Sequence, residues 1–190
     1  GEGGMIATND TATFDLLCKL RNHGQCSLDI PSPPPYIMND VDILGYNYRM
    51  TDIQAAIGLA QLKKITTWIE ERQKWANYYY KELSDIKWLV CPAPQPDIFH
   101  SWQAYVVRVD ENLSPIPRNE LMIYLKENGI ATRPGTQAIH MLSFYSNKYN
   151  LRPESYPQTR DCFYQTMAIP MHNKMEKDDF DYIITTLREL

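Results

Sequence analysis

The run Tyr46-Asn47-Tyr48-Arg49 places an amide and a guanidinium two residues apart, directly ahead of a stretch with helical spacing. Thr51, followed three residues later by Gln54, has the form of a capping box and sets the helix start near 51. Unpaired N–H groups and the positive dipole end at such a start attract anions. Asn47 is therefore a candidate to donate an amide hydrogen bond to a phosphate, and Arg49 to offer a charged fork. The same four residues also read as two core aromatics, Tyr46 and Tyr48, with Arg49 paired to a surface carboxylate.

A second donor-rich stretch runs from Thr132-Arg133 through Thr136-Gln137 to His140. It follows Gly129 and contains Pro134 and Gly135, so it reads as a loop, and loops carry function disproportionately. Arg133, Thr136, Gln137 and His140 are its candidate ligand contacts. His140, between Ile139 and Met141, reads equally as a hydrogen-bonded structural histidine. Neither it nor His23, His100 or His172 has a partner at metal-ligand spacing, so no metal site is expected. Gly1-Glu2-Gly3-Gly4 is a weak signal, because phosphate-binding glycine motifs need a strand before and a helix after them. Cys18, Cys26, Cys91 and Cys162 form no C-x-x-C pair, which disfavours zinc, a dense disulfide framework and a recognisable thiol nucleophile; a reducing cytoplasm fits best.

The elements that must position these residues follow from periodicity. Phe14, Leu17, Cys18 and Arg21 predict a helix over about 11–22, with Gly24 where a helix ends in a left-handed residue. The prolines between Pro31 and Pro35 predict an extended surface loop. Ile53, Ala56, Ile57 and Ala60 open a stripe that continues to Leu83, predicting one helix of about 33 residues, about 50 Å long. Its Trp68, Trp75, Tyr78, Tyr79 and Tyr80 read as packing residues rather than a stacking platform for bases. Beyond it come Trp88–Cys91 and a proline-rich turn at Pro92–Pro96; Trp102–Val109 reads as a strand, Leu121–Asn128 as a helix stopped by Gly129, Thr166–Ile169 as a strand ended by Pro170, and Lys177–Leu190 as an amphipathic helix. The last hundred residues thus form a small α+β domain.

With 190 residues, 44% of them hydrophobic and 22% charged, the chain can bury a substantial core. A net charge of −4 gives no electrostatic reason to expect nucleic acid or an anionic membrane as partner. No apolar run approaches the roughly 20 residues of a membrane span. The first residues match no signal peptide and read like an element entered halfway.

Five stretches, GEGGMI at 1–6, LRNHG at 20–24, GYNYRMTDIQAAIGLAQLKKI at 45–65, GIATRP and a following His at 129–140, and AIPMH at 168–172, together resemble the DegT/DnrJ/EryC/StrS sugar aminotransferases. The resemblance implies an α/β fold of the fold-type I pyridoxal-phosphate class. Residues 1–50 would be the end of the large, cofactor-binding domain, 51–84 a long connecting helix, and 85–190 the small C-terminal domain. It also implies a close homodimer in which Asn47, with Arg49 as companion, reaches the phosphate of pyridoxal 5′-phosphate in the neighbouring subunit's site, while Arg133–His140 lies near a nucleotide-sugar. The activity implied is transfer of an amino group, from glutamate, to a nucleotide-linked keto-deoxy sugar. The RPGT-type loop points to the perosamine branch, although Gln137-Ala138 stands where the commoner pattern has Tyr-Pro. The resemblance puts the Schiff-base lysine, the aspartate on the pyridinium nitrogen and the stacking aromatic ahead of Gly1. It therefore implies no catalytic residue in this chain and no transamination by it alone. A non-catalytic binding module of the same fold and one half of a split enzyme are the alternatives. Elements of a large parallel sheet normally bury both faces, so residues 1–50 are expected to be mobile or to associate.

Overall fold

The computed structural model describes residues 2–25 and 35–190. Within it the chain separates into two compact units, Gly1–Ile65 and Thr66–Leu190. The proline-rich loop expected over 31–35 lies, apart from Pro35, outside the described residues, as do Gly1 and Cys26.

In the first unit, α1 (Thr11–Leu20) begins where Asp10 accepts a hydrogen bond from the Thr13 N–H at 2.9 Å. The two Thr13 hydrogen bonds hold the Asp10 carboxyl below the usual carboxylate range. The helix closes with the Gly24 N–H on the Lys19 carbonyl at 2.8 Å, and Gly24 has the expected positive φ of 75°. The second helix, α2 (Asp52–Leu62), starts at the capping box: the Gln54 N–H donates to Thr51 Oγ1 and the Thr51 N–H to Gln54 Oε1. Neither helix buries a single side chain.

The stretch expected as one continuous helix over 51–84 is helical almost throughout, but it divides into α2 and α3 (Ile65–Leu83) at a turn on Lys63-Lys64. The Lys64 N–H there bonds the Gln61 carbonyl three residues back rather than four. The β-branched run Ile65-Thr66-Thr67 that follows has poor helix propensity, and periodicity alone does not register such a tightened turn.

The second unit contains a four-stranded antiparallel sheet in the order β1-β2-β4-β3, formed by β1 (Leu89–Val90), β2 (Tyr105–Val109), β3 (Arg133–Pro134) and β4 (Thr166–Ile169). Strand β2 starts three residues later than its composition predicts, because Trp102 turns into the left-handed region at φ 46°. Its buried residues alternate, with Tyr105, Val107 and Val109 facing the core and meeting Met167 and Ile169 of β4. Ala76, Tyr79 and Leu83 from α3, Leu121 and Leu125 from α4 (Arg118–Glu127), and Phe180, Ile183, Ile184 and Leu187 from α7 (Lys177–Arg188) complete the core. Aromatic rings interlock within it: Phe180 stacks on Trp75 with centroids 4.1 Å apart and meets Tyr79 edge-on at 5.0 Å. Two short helices, α5 (Ser143–Tyr149) and α6 (Pro157–Gln165), lie between β3 and β4 in the chain and carry no buried residue, so their apolar periodicity is too weak to read.

Helix α4 starts at Arg118, three residues before the expected start, because Arg118 is an interior side chain with only 5% of its surface exposed. Its Nε and Nη2 donate to the carbonyls of Tyr164 and Phe163 at 2.6 and 2.7 Å, capping the last turn of α6. A second polar joint forms where Arg72 on α3 donates to the Trp102 carbonyl at 2.8 Å and to Asn173 Oδ1 at 3.1 Å, while the Asn173 amide donates to Glu71 Oε2.

The interlocked rings make Phe180→Ala a costly truncation. A denaturant melt of the second unit should lose about 3–5 kcal/mol, and a loss below about 1 kcal/mol would contradict the packing described. Burial pushes the Cys91 thiol up to about 11, so it stays protonated and unreactive at ordinary pH. Alkylation followed by mass spectrometry at pH 8 should label exposed Cys162 well before Cys91, with Cys91 reacting only as the pH approaches its raised pKa.

Candidate functional site

The stretches LRNHG and GYNYR are one piece of structure. Asn22 and Asn47 form an antiparallel bridge, with the Tyr46 N–H on the Leu20 carbonyl at 2.7 Å, the His23 N–H on the Tyr46 carbonyl at 2.9 Å, and the Tyr48 N–H on the Arg21 carbonyl at 2.9 Å. The two backbones touch at a pair of glycines. A Cβ on Gly24 would stand 1.9 Å from the Ile43 carbonyl oxygen, and one on Gly45 would stand 2.0 Å from the Gly24 nitrogen. Only glycine fits at either position.

This bridge aligns three polar side chains. Arg49 Nη1 donates to Asn22 Oδ1 at 3.1 Å and Arg49 Nε to Asn47 Oδ1 at 3.2 Å. The Asn22 amide nitrogen in turn donates to Gln25 Oε1 at 3.1 Å. Both amide oxygens thus point at the guanidinium, which leaves the Asn47 amide nitrogen and Arg49 Nη2 as donors with no acceptor among the described residues. The surface carboxylate that could have neutralised Arg49 is not there: among the described residues Arg49 makes no ion pair. Nor are Tyr46 and Tyr48 core aromatics, since they are 49% and 70% exposed and stack on each other at 5.1 Å. At the helix start, by contrast, the capping box already engages the Thr51 and Gln54 N–H groups, and Asp52 occupies the first turn. The guanidinium and the amide, rather than the end of α2, carry the capacity to hold an anion.

The second predicted cluster lies wholly in the second unit. Arg133 pairs with Ala168 in β3, and Gly135 passes so close to β4 that a Cβ on it would stand 2.5 Å from Thr166 Oγ1 and 2.6 Å from Val106 Cγ1. After that crossing Thr136 and Gln137 are exposed, whereas Ala138 is fully buried. His140 is 6% exposed, its Nε2 3.3 Å from the Pro153 carbonyl and its ring tilted against Tyr156 at 5.0 Å. These surroundings make it the fastening of the loop, and Arg133, Thr136 and Gln137 its accessible polar face. A concavity of about 610 Å³ elsewhere in the second unit is lined by Gln73, Asn77, Gln95, Phe99, His100 and Trp102, none of them a candidate ligand contact from the sequence. Among the described residues no group of His, Cys, Asp and Glu could hold a metal ion, and no helix is long and apolar enough to cross a membrane.

Within LRNHG the sequence alone assigns Asn22 no role. The only signal for it is the motif's His-Gly end, where both residues have positive φ and turn the chain back toward Asn47.

The chain belongs to the DegT/DnrJ/EryC1/StrS aminotransferase family, which it matches over residues 1–188. It is 30% identical over 193 residues to the spore coat polysaccharide biosynthesis protein SpsC of Bacillus subtilis, covering 100% of this chain and 50% of that protein. Among solved structures it is similar to PseC of Helicobacter pylori, an aminotransferase involved in the biosynthesis of pseudoaminic acid, with a TM-score of 0.81 at 21% identity over 96% of this chain and 47% of that one. Spr1654 of Streptococcus pneumoniae, in its PMP form, gives a TM-score of 0.82 at 23% identity, covering 96% of this chain and 45% of that one. The fold is therefore that of the pyridoxal-phosphate-dependent aminotransferases, and the chain spans about half the length of the relatives it matches.

Because the two glycines are in backbone contact, Gly45→Ala should open the 20–48 turn. Limited proteolysis should cut between residues 20 and 50 roughly tenfold faster than in the parent, and an unchanged rate would show the contact to be dispensable.

Proposed function

We propose that this chain is the C-terminal half of an aminotransferase that transfers an amino group, from glutamate, to the keto carbon of a nucleotide-linked deoxy sugar, as in perosamine synthesis. The observation that carries the reading is Arg49, a cation steered by two amide oxygens and left without a carboxylate among the described residues. An exposed guanidinium and an amide nitrogen held side by side fit the phosphate of pyridoxal 5′-phosphate. In the homodimer this pair clamps the phosphate in the neighbouring subunit's site. When bound, that cofactor supplies the electron sink and the carbonyl that carries the amino group.

The residues of this chain hold and orient. Arg49 and Asn47 bind the phosphate and fix the position of the ring, while Arg133, Thr136 and Gln137 offer donors to the nucleotide-sugar on a loop anchored by His140. Gln137 in place of the commoner Tyr, and the buried Ala138 in place of Pro, alter that loop's face and so the sugar accepted. The lysine that completes the site lies in the part of the protein ahead of Gly1, so this chain alone does not transaminate. Ile53, Ile57, Leu59 and Leu62 on α2 are 45–76% exposed, apolar surface that supports association with partner surfaces.

In the full-length protein, Arg49→Met should weaken retention of pyridoxal phosphate by about tenfold or more, read from the bound cofactor's absorbance after dialysis. Borohydride reduction and peptide mapping should fix the cofactor to a lysine preceding Gly1. Undiminished retention would remove the phosphate role, and labelling of a lysine within residues 1–190 would remove the assignment of halves.

A further inference from the structure

We infer that Asn22 is a positioning residue for phosphate binding: it presents the Asn47–Arg49 pair in the orientation that binds, without touching the ligand itself. The inference rests on the phosphate reading of Asn47 and Arg49 given above. Asn22 is half-buried at the antiparallel bridge, and each end of its amide is committed, the nitrogen to Gln25 Oε1 at 3.1 Å and the oxygen to Arg49 Nη1 at 3.1 Å. Gln25 thereby fixes which way the Asn22 amide faces. With the Asn22 oxygen on Nη1 and the Asn47 oxygen on Nε, the guanidinium plane is pinned at two of its nitrogens. Arg49 is otherwise an exposed, flexible side chain with no ion pair among the described residues to order it.

The same geometry sorts the atoms of Asn47. Its oxygen is drawn toward Arg49, so its amide nitrogen is the end left facing outward as a donor. Were Arg49 released by loss of the Asn22 acceptor, the Asn47 amide would be free to turn over and present an oxygen to the anion, which is repulsive. Asn22 therefore acts on both phosphate contacts at once through a single hydrogen bond. The bridge to Asn47 is held by backbone groups of Leu20, Arg21 and His23 whatever side chain residue 22 carries, so the turn survives substitution.

The test compares variants of the full-length protein by their affinity for pyridoxal 5′-phosphate and for pyridoxal, which lacks the phosphate, with a thermal melt as a check on folding. Asn22→Ala should weaken pyridoxal 5′-phosphate binding about fivefold and leave pyridoxal binding unchanged. Asn22→Gln keeps a neutral amide oxygen for Arg49 and should recover part of that loss. Adding Asn22→Ala to Asn47→Ala and Arg49→Met should cost nothing further, because the positioning residue then has nothing left to position. If Asn47→Ala and Arg49→Met lower phosphate affinity while Asn22→Ala does not, the positioning role is overturned and the phosphate reading stands. If neither Asn47→Ala nor Arg49→Met has any effect, the phosphate reading fails and this inference with it. Equal losses for pyridoxal and its phosphate would mark Asn22 as merely structural and overturn the role.

Discussion

Where residues 24 and 45 cross, each backbone occupies the space a Cβ on the other would fill, and the polar turn of this protein depends on that constraint. Gly24 and Gly45 meet where any Cβ would overlap the opposite chain by more than an ångström. Everything useful nearby follows from the crossing. It sets Asn22 across from Asn47, brings Arg49 between two amide oxygens, and turns Tyr46 and Tyr48 outward as a stacked pair. In the second unit Gly135 passes against the side chains of Thr166 and Val106, and beyond it Thr136 and Gln137 lie exposed. Both candidate binding faces thus lean on a glycine packed too closely for a Cβ.

The two units are stabilised differently. The second has an alternating strand at its centre, three helices contributing core residues and a set of interlocked aromatic rings. In the first, neither helix buries a side chain, and apolar residues such as Met5, Leu44 and Ile53 are more than two-thirds exposed. Hydrogen bonds, caps and the glycine crossing hold its local shape, terms worth about 1 kcal/mol each and too few to stabilise a domain. Such a surface asks for cover from other protein, which agrees with a chain that spans about half the length of its relatives.

Much of this was legible in the residues. The capping box at Thr51 and Gln54, the left-handed Gly24 and Gly129, and the strand at Thr166–Ile169 stand where local chemistry puts them, because each is decided within a few residues of sequence. What escaped was decided from afar. The start of β2 moved because Trp102 adopts a left-handed conformation, its carbonyl taken by Arg72 thirty residues earlier. Helix α4 gained a turn because Arg118 finds its carbonyl partners about 45 residues later, and no pattern in the neighbourhood announces that. Asn22 likewise shows its part only once the bridge brings residue 47 beside it. The family resemblance supplied the fold and the class of chemistry; the orientation of each amide came from three dimensions.

Arg118 adds one further consequence. Its guanidinium sits inside the second unit with its hydrogen bonds spent on the final carbonyls of α6, and removal from water lowers its pKa without discharging it. Fraying of α6 at that end would strand a cation in an apolar interior, so the first turn of α4 and the last turn of α6 must open together or not at all. A helix with no buried side chain of its own thereby inherits the cooperativity of the core, through a latch that only an arginine's fork can close.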